Sequence, residues 1–205
     1  VIQQFQGLKI FAEAAERLKF EGHLSEVLLG ILANVCSHWR PGVNPQLDDI
    51  DLASTALKAL ESSDGLVAVQ GLRISCSLLC AQVSVSQLWS SGAVDRYLFA
   101  LENSLRWDVV RYACDALCQG LLLEMTEESE SKQCSFAARL MPQLPRLLEE
   151  RCQELCGSED EDLAEGQDLE TALWSALRLA ESLACLHCDA DAQAALHASA
   201  LMAIE

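Results

Sequence analysis

The chain has 205 residues, with 31 acidic against 14 basic side chains and a formal net charge of −17. That excess, with no basic run, argues against nucleic acid and anionic membrane surfaces as partners, since affinity for both rests on Lys and Arg meeting phosphate. Hydrophobic residues make up 51% and aromatics only 5%, a mix that suits helices packed on helices better than β-sandwich strands.

No apolar run reaches the ~18 residues that a membrane span needs. The opening Val1-Ile2-Gln3-Gln4 has neither an initiator Met nor a signal-peptide pattern, so the chain reads as a fragment of a longer protein. The acidity either keeps an apolar-rich surface soluble or marks a surface for basic protein partners.

Taken in chain order, apolar residues at helical spacing predict a short helix over about 7–19 (Leu8, Ile10, Phe11, Ala14, Ala15, Leu18). A longer one follows on the stripe Leu24, Val27, Leu28, Ile31, Leu32 and Val35. Pro41-Gly42 and Pro45 mark a turn before a second short helix over 50–61 (Ile50, Leu52, Ala53, Leu57, Leu60). Ser63-Asp64-Gly65 begins a second long helix through Leu66, Val67, Leu72, Ile74, Leu78 and Leu79, with Asp64 placed to accept the orphan N–H groups of its first turn. A small helix around Ser86–Trp89 leads to a third short one over 93–104 (Val94, Tyr97, Leu98, Leu101). Trp107-Asp108 precedes a third long helix on Val109, Val110, Ala113, Leu117 and Leu121, and Asp108 is its expected N-cap.

The regularity then slackens. Met125–Lys132 is rich in Glu and Ser, 136–156 reads as helix with Pro142 and Pro145 at a boundary or kink, and 157–168 is an acidic loop. A fourth long helix runs on Ala172, Leu173, Ala176, Leu179, Ala180 and Leu183, and Gln193–Ile204 predicts a terminal helix.

The long helices are in register with one another. A step of 43 residues carries Leu24, Leu28, Ile31 and Val35 onto Val67, Gly71, Ile74 and Leu78, and a second carries these onto Val110, Cys114, Leu117 and Leu121. A step of 62, lengthened by the acidic insertion, reaches Ala172, Ala176, Leu179 and Leu183. Every matched position is apolar or small, and HEAT and armadillo repeats have periods of roughly 40–47 residues. The expected fold is therefore all-α: a right-handed armadillo/HEAT-like helical-repeat solenoid of about four helix-pair units. One domain spans 1–205, with units near 5–40, 48–90, 93–124 and 133–205. Residues 31, 74, 117 and 179 are its expected core.

Leu29-Gly30-Ile31-Leu32-Ala33-Asn34-Val35-Cys36 resembles the Val-Gly-Ile-Leu-Gly-Asn-Met-Ala-Cys stretch of the serum-amyloid-A-like armadillo proteins, one residue shorter. Ile10-Phe11 before it is similar too, as is the second long helix running through Gln82 to Leu88-Trp89, and weaker likeness continues through Asp108–Glu124 and beyond Phe136. The resemblance implies an armadillo-like, non-enzymatic protein of the nucleus or cytoplasm, associated with cell proliferation. It supplies no catalytic or ligand residues.

Asn34 stands where peptide-binding armadillo arrays place an amide that clamps an extended backbone, an arrangement that uses its donor and its acceptor together. The 43-residue register puts Ser77, Gly120 and Ser182 at the matching sites, so no Asn ladder exists, and Asn34 reads rather as bonding neighbouring backbone. Trp39, Trp89, Trp107 and Trp174 are candidate interface anchors or plugs between repeats, the first three near helix ends. Glu159, Asp160, Glu161 and Asp162 are a solvated loop or a docking element for a basic partner.

Ten cysteines would suggest disulfides in a secreted protein. Here Cys76/Cys80, Cys114/Cys118 and Cys152/Cys156 are spaced i,i+4, about 5–6 Å apart at Cβ on a helix where a bridge wants about 3.5–4.5 Å. Free thiols, no metal and a reducing compartment follow. Cys185, His187, Cys188 and His197 are the only zinc-like fragment, and a structural site wants a complete four-ligand set. No catalytic motif is present, and no cofactor is expected. Three functions stay open: an interaction scaffold or adaptor, a cysteine-based metal or redox module, and a self-association domain.

Overall fold

From Gly22 to Thr126, each helix begins just after a polar or glycine residue. In the computed structural model, the described residues are 2–38, 50–104, 106–126, 171–172, 174–179 and 181–182; they are helical or turn, with no strand among them. The chain is all-α in these residues. Its helices are α1 (Ile2–Arg17), α2 (Gly22–Ser37), α3 (Leu52–Leu60), α4 (Gly65–Cys80), α5 (Val85–Ser90), α6 (Ala93–Asn103) and α7 (Trp107–Thr126), with further helical residues at 171–172, 174–179 and 181–182.

Asp64 caps α4 as expected, its carboxylate accepting from the Leu66 N–H at 3.0 Å. Asp51 caps α3 in the same way through the Ser54 N–H, a cap that the sequence reading did not single out. Asp108 departs from expectation. α7 starts one residue before it, at Trp107, so Asp108 lies inside the first turn, accepting from Arg106 Nη2 at 2.7 Å and facing the positive end of the helix dipole.

The chain divides into two compact units, 1–116 and 117–205. In the first, α4 is central, packing on α2 and on α3, while α1 packs on α2. The α1–α2 turn is tight: Lys19 and Phe20 take positive φ of 55° and 57°. Burial of the Phe20 ring and a 2.6 Å hydrogen bond from Ser62 Oγ to the Phe20 carbonyl hold that unfavoured backbone in place. Ser62 belongs to the α3–α4 turn, so the two turns meet; nearby, Lys58 pairs with Glu16. Both contacts join residues 42 apart in sequence.

The matched apolar positions are buried in α4, at Val67, Gly71, Ile74 and Leu78, and in α7, at Val110, Cys114, Leu117 and Leu121. Ala172, Ala176 and Leu179 are buried in the second unit. In α2 it fails. Leu24 is 59% exposed, Val27 43% and Ile31 39%, and the helix instead buries Ser25, Leu29, Leu32, Ala33 and Cys36.

The reason lies in the breadth of α2's apolar surface. Almost every residue from Leu24 to Cys36 is apolar or small, so periodicity does not select one face. The face it buries carries the small side chains of Ser25, Ala33 and Cys36 beside Leu29 and Leu32, and Ser25 Oγ satisfies itself on the Glu21 carbonyl at 2.8 Å. In α1, Ile10 and Leu18 of the predicted stripe are likewise exposed, while Leu8, Ala12 and Ala15 are buried. Leu66 at the start of α4 is also exposed.

Candidate functional site

The long helices α2, α4 and α7 are joined on one side by a polar row. Asn34 lies exposed near the end of α2, Arg73 half-buried in mid-α4, and Tyr112 half-buried in α7. The Arg73 guanidinium donates from Nη2 to Asn34 Oδ1 at 2.6 Å and from Nη1 to Gln70 Oε1, one turn earlier on its own helix, at 2.8 Å. Its Cζ lies 6.0 Å from the centroid of the Tyr112 ring. Arg111 approaches the same ring from within α7, at 5.0 Å, and sits 4.0 Å from Asp115 one turn on. Cys76 ties the helices together beneath the row, donating its thiol to the Tyr112 carbonyl at 3.3 Å.

Asn34, Arg73 and Tyr112 are spaced 39 and 39 residues apart. The sequence reading stepped by 43 from Asn34 and so met Ser77 instead. The contacts of Arg73 with Asn34 and Tyr112 join residues 39 apart, one helical turn short of that step. Searching surface positions at 43 minus one helical turn would have found the row. The Asn34 side chain bonds Arg73 and not neighbouring backbone; its own carbonyl accepts from Ser37 Oγ at 2.8 Å.

Trp89 is half-buried near the end of α5, Trp107 half-buried at the first residue of α7, and Trp174 is exposed. Trp39, the acidic residues Glu159, Asp160, Glu161 and Asp162, and the set Cys185, His187, Cys188 and His197 all lie outside the described residues. Among the described residues, no group of three or more His, Cys, Asp or Glu side chains is arranged to hold a metal ion, and no helix is long and apolar enough to cross a membrane.

Most of the described thiols are packed into the helix interior, Cys80 alone among them being exposed. Cys36 and Cys118 are buried, Cys76 is half-buried, and none of the three is in a disulfide. In the second unit, Cys118 Sγ lies 3.3 Å from Ser182 Oγ. Burial pushes the Cys36 thiol from its usual value near 9 up to about 12. Burial raises Cys76 strongly as well, with Asp115 adding to the rise. The thiolate, which is the nucleophile and metal ligand, is thus disfavoured at both.

The sign for stability follows directly. Below about pH 9 both folded and unfolded Cys36 keep the proton and no stability is lost. Between about 9 and 12 only the unfolded thiol ionises, so stability falls as pH rises through that window. Melting curves recorded through that range should fall more steeply for wild type than for Cys36→Ala; equal slopes would show that Cys36 is not buried as described.

A separate cleft of about 220 Å³ opens between α1 and α3, lined by Lys9, Glu13, Asp51, Ser54 and Thr55 among others. Its mixed charges neutralise one another, as in the Lys58–Glu16 pair at its edge, and it holds no nucleophile–base pairing. Comparison of the chain with models of known protein families, with curated proteins and with solved structures returns no match.

Proposed function

We propose that this all-α chain is a non-enzymatic, armadillo/HEAT-like interaction scaffold whose long helices α2, α4 and α7 present the face that binds a partner protein. The observation that carries this reading is the Asn34–Arg73–Tyr112 row, in which equivalent surfaces of successive long helices are pre-organised by side-chain hydrogen bonds and ring stacking. Rigid side chains on a helix face lose little rotamer freedom on binding, which is what a recognition surface needs. The buried register at 67, 71, 74 and 78 in α4 and at 110, 114, 117 and 121 in α7 supports stacked repeat units, whose usual working face is the surface built by their successive inner helices. The likeness to serum-amyloid-A-like armadillo proteins, a nuclear or cytoplasmic setting and a link to cell proliferation belong to the same proposal. So does a partner of net basic charge, drawn by the −17 of the chain.

Affinity capture with the full chain as bait, read by mass spectrometry, tests it. Tyr112→Ala should lose the captured proteins, and deletion of residues 158–166 should keep them, with the melting temperature changed by only a few degrees. Capture that survives Tyr112→Ala but fails on the deletion would move the partner site to the acidic run.

A second reading, self-association, is favoured by one observation: Leu24, Val27 and Ile31 form an exposed apolar row at i, i+3, i+7 on α2. Light scattering on wild type and Leu24→Glu decides it, since a dimer that depends on this row should dissociate in the variant.

A further inference from the structure

We propose that Arg73 and Arg111, held against Tyr112, form a receptor for a carboxylate presented by the partner protein. The inference rests on the scaffold reading above and names the chemistry that this face takes.

The argument begins with unused hydrogen-bonding capacity. A guanidinium carries five N–H donors and no acceptor. Arg73 spends two of them, on Asn34 Oδ1 and Gln70 Oε1, and both acceptors are neutral amides. Among the described residues, no carboxylate pairs with Arg73, whereas the ion pairs of Arg96 with Glu61 and Arg106 with Asp108 show such neutralisation elsewhere in the chain. Arg111 is equally under-served. Its Nε is buried without a hydrogen-bond partner, and Asp115 stands at 4.0 Å, beyond the roughly 2.7–2.9 Å of a charge-assisted bond.

Asn34 Oδ1 and Gln70 Oε1 each accept from Arg73, and the row keeps spare donors in the remaining guanidinium N–H groups. Two cations also share one aromatic ring, at 6.0 Å and 5.0 Å from its centroid. The ring face attracts each of them, and the one carboxylate that pairs with either among the described residues is Asp115, 4.0 Å from Arg111. A planar, two-oxygen monoanion matches the guanidinium fork and relieves the like-charge repulsion.

Charge selects the ligand further. Asp115 beside Arg111, and the net charge of −17, penalise a dianion more than a monoanion. That favours a carboxylate over a phosphate. An Asp or Glu side chain carried on a segment that is otherwise neutral or basic satisfies both the long-range field and the local site.

The test uses the full chain and a fluorescein-labelled, C-terminally amidated peptide with one glutamate among glycines and serines, with its single-glutamine counterpart as control, in fluorescence anisotropy at about 50 mM salt, where exposed charges are weakly screened. The glutamate peptide should bind saturably and about tenfold tighter than the glutamine peptide, and the Arg73→Gln, Arg111→Gln double variant should lose about that factor. Arg73→Lys, which keeps the charge and removes the fork, should fall between them, and its unchanged melting curve separates loss of recognition from loss of fold. Equal affinity for the two peptides, no saturable binding, or full affinity in the double variant would overturn the proposal. Much tighter binding after deletion of 158–166 would overturn the choice of partner, by showing that the chain's own acidic run occupies the receptor. If the peptide behaves as expected while captured proteins are indifferent to Tyr112→Ala, the carboxylate receptor stands and the scaffold reading fails; the reverse pattern spares the scaffold alone.

Discussion

Ile74→Asp should leave the chain without a cooperative folded state. Ile74 is wholly buried in mid-α4, the helix that packs on both α2 and α3. An aspartate there would remove the methyl groups that fill the site and leave a carboxylate with no described partner. An unpaired buried charge costs several kcal/mol even after its pKa shifts to neutralise it. Domains of ordinary stability have about 5–15 kcal/mol in total, so most or all of the margin is lost. Far-UV circular dichroism with a thermal scan reads the outcome directly. Ile31→Asp is the matched control: in the 43-residue step it is the equivalent residue, yet it is 39% exposed, and surface substitutions usually stay within about 0.5 kcal/mol. A variant at 31 as damaging as the one at 74 would show that α2 faces inward along the row first read from sequence.

That contrast also shows what the sequence could and could not disclose. Helix positions were legible wherever a strong punctuator adjoined an apolar period: Asp64 before α4, the short α5 at Val85–Ser90, and α6 at Ala93–Asn103 all lie within a residue or two of expectation. The buried faces of α4, α6 and α7 were legible too, because polar residues interrupt their apolar stripes. α2 was not, since a helix apolar on most sides is oriented by which side chains are small enough to permit close packing, and that depends on the partner helix. The Asn34–Arg73–Tyr112 row was hidden for a related reason. Its members differ in type, and their 39-residue spacing departs from the 43-residue step, so comparing like residues at one fixed period passes over them.

Gly71→Ala should destabilise, although alanine is the better helix former. Replacing glycine by alanine inside a helix ordinarily gains about 0.5–1 kcal/mol. At Gly71 a Cβ would stand 2.7 Å from the Ala56 carbonyl oxygen and 3.0 Å from the Ala59 Cβ, with the Leu60 backbone nitrogen at 3.3 Å. These atoms belong to the backbone and the shortest side chain of α3, so no rotamer change can relieve them. The two helices must separate, loosening the contacts of Leu57, Leu60, Leu72 and Ile74 along the seam. Overpacking of this kind costs about 1–3 kcal/mol, which exceeds the propensity gain, and the melting temperature should drop by several degrees. Gly30→Ala provides the opposite expectation in α2. There the nearest atom to a new Cβ is Gln70 Oε1 at 3.7 Å, an ordinary contact, so the propensity gain should survive and the melting temperature should hold or rise. Equal effects at the two glycines would mean that α3 and α4 are not as close as described. A drop at 71 and none at 30 would establish that seam as the place where the fold depends on the absence of a side chain.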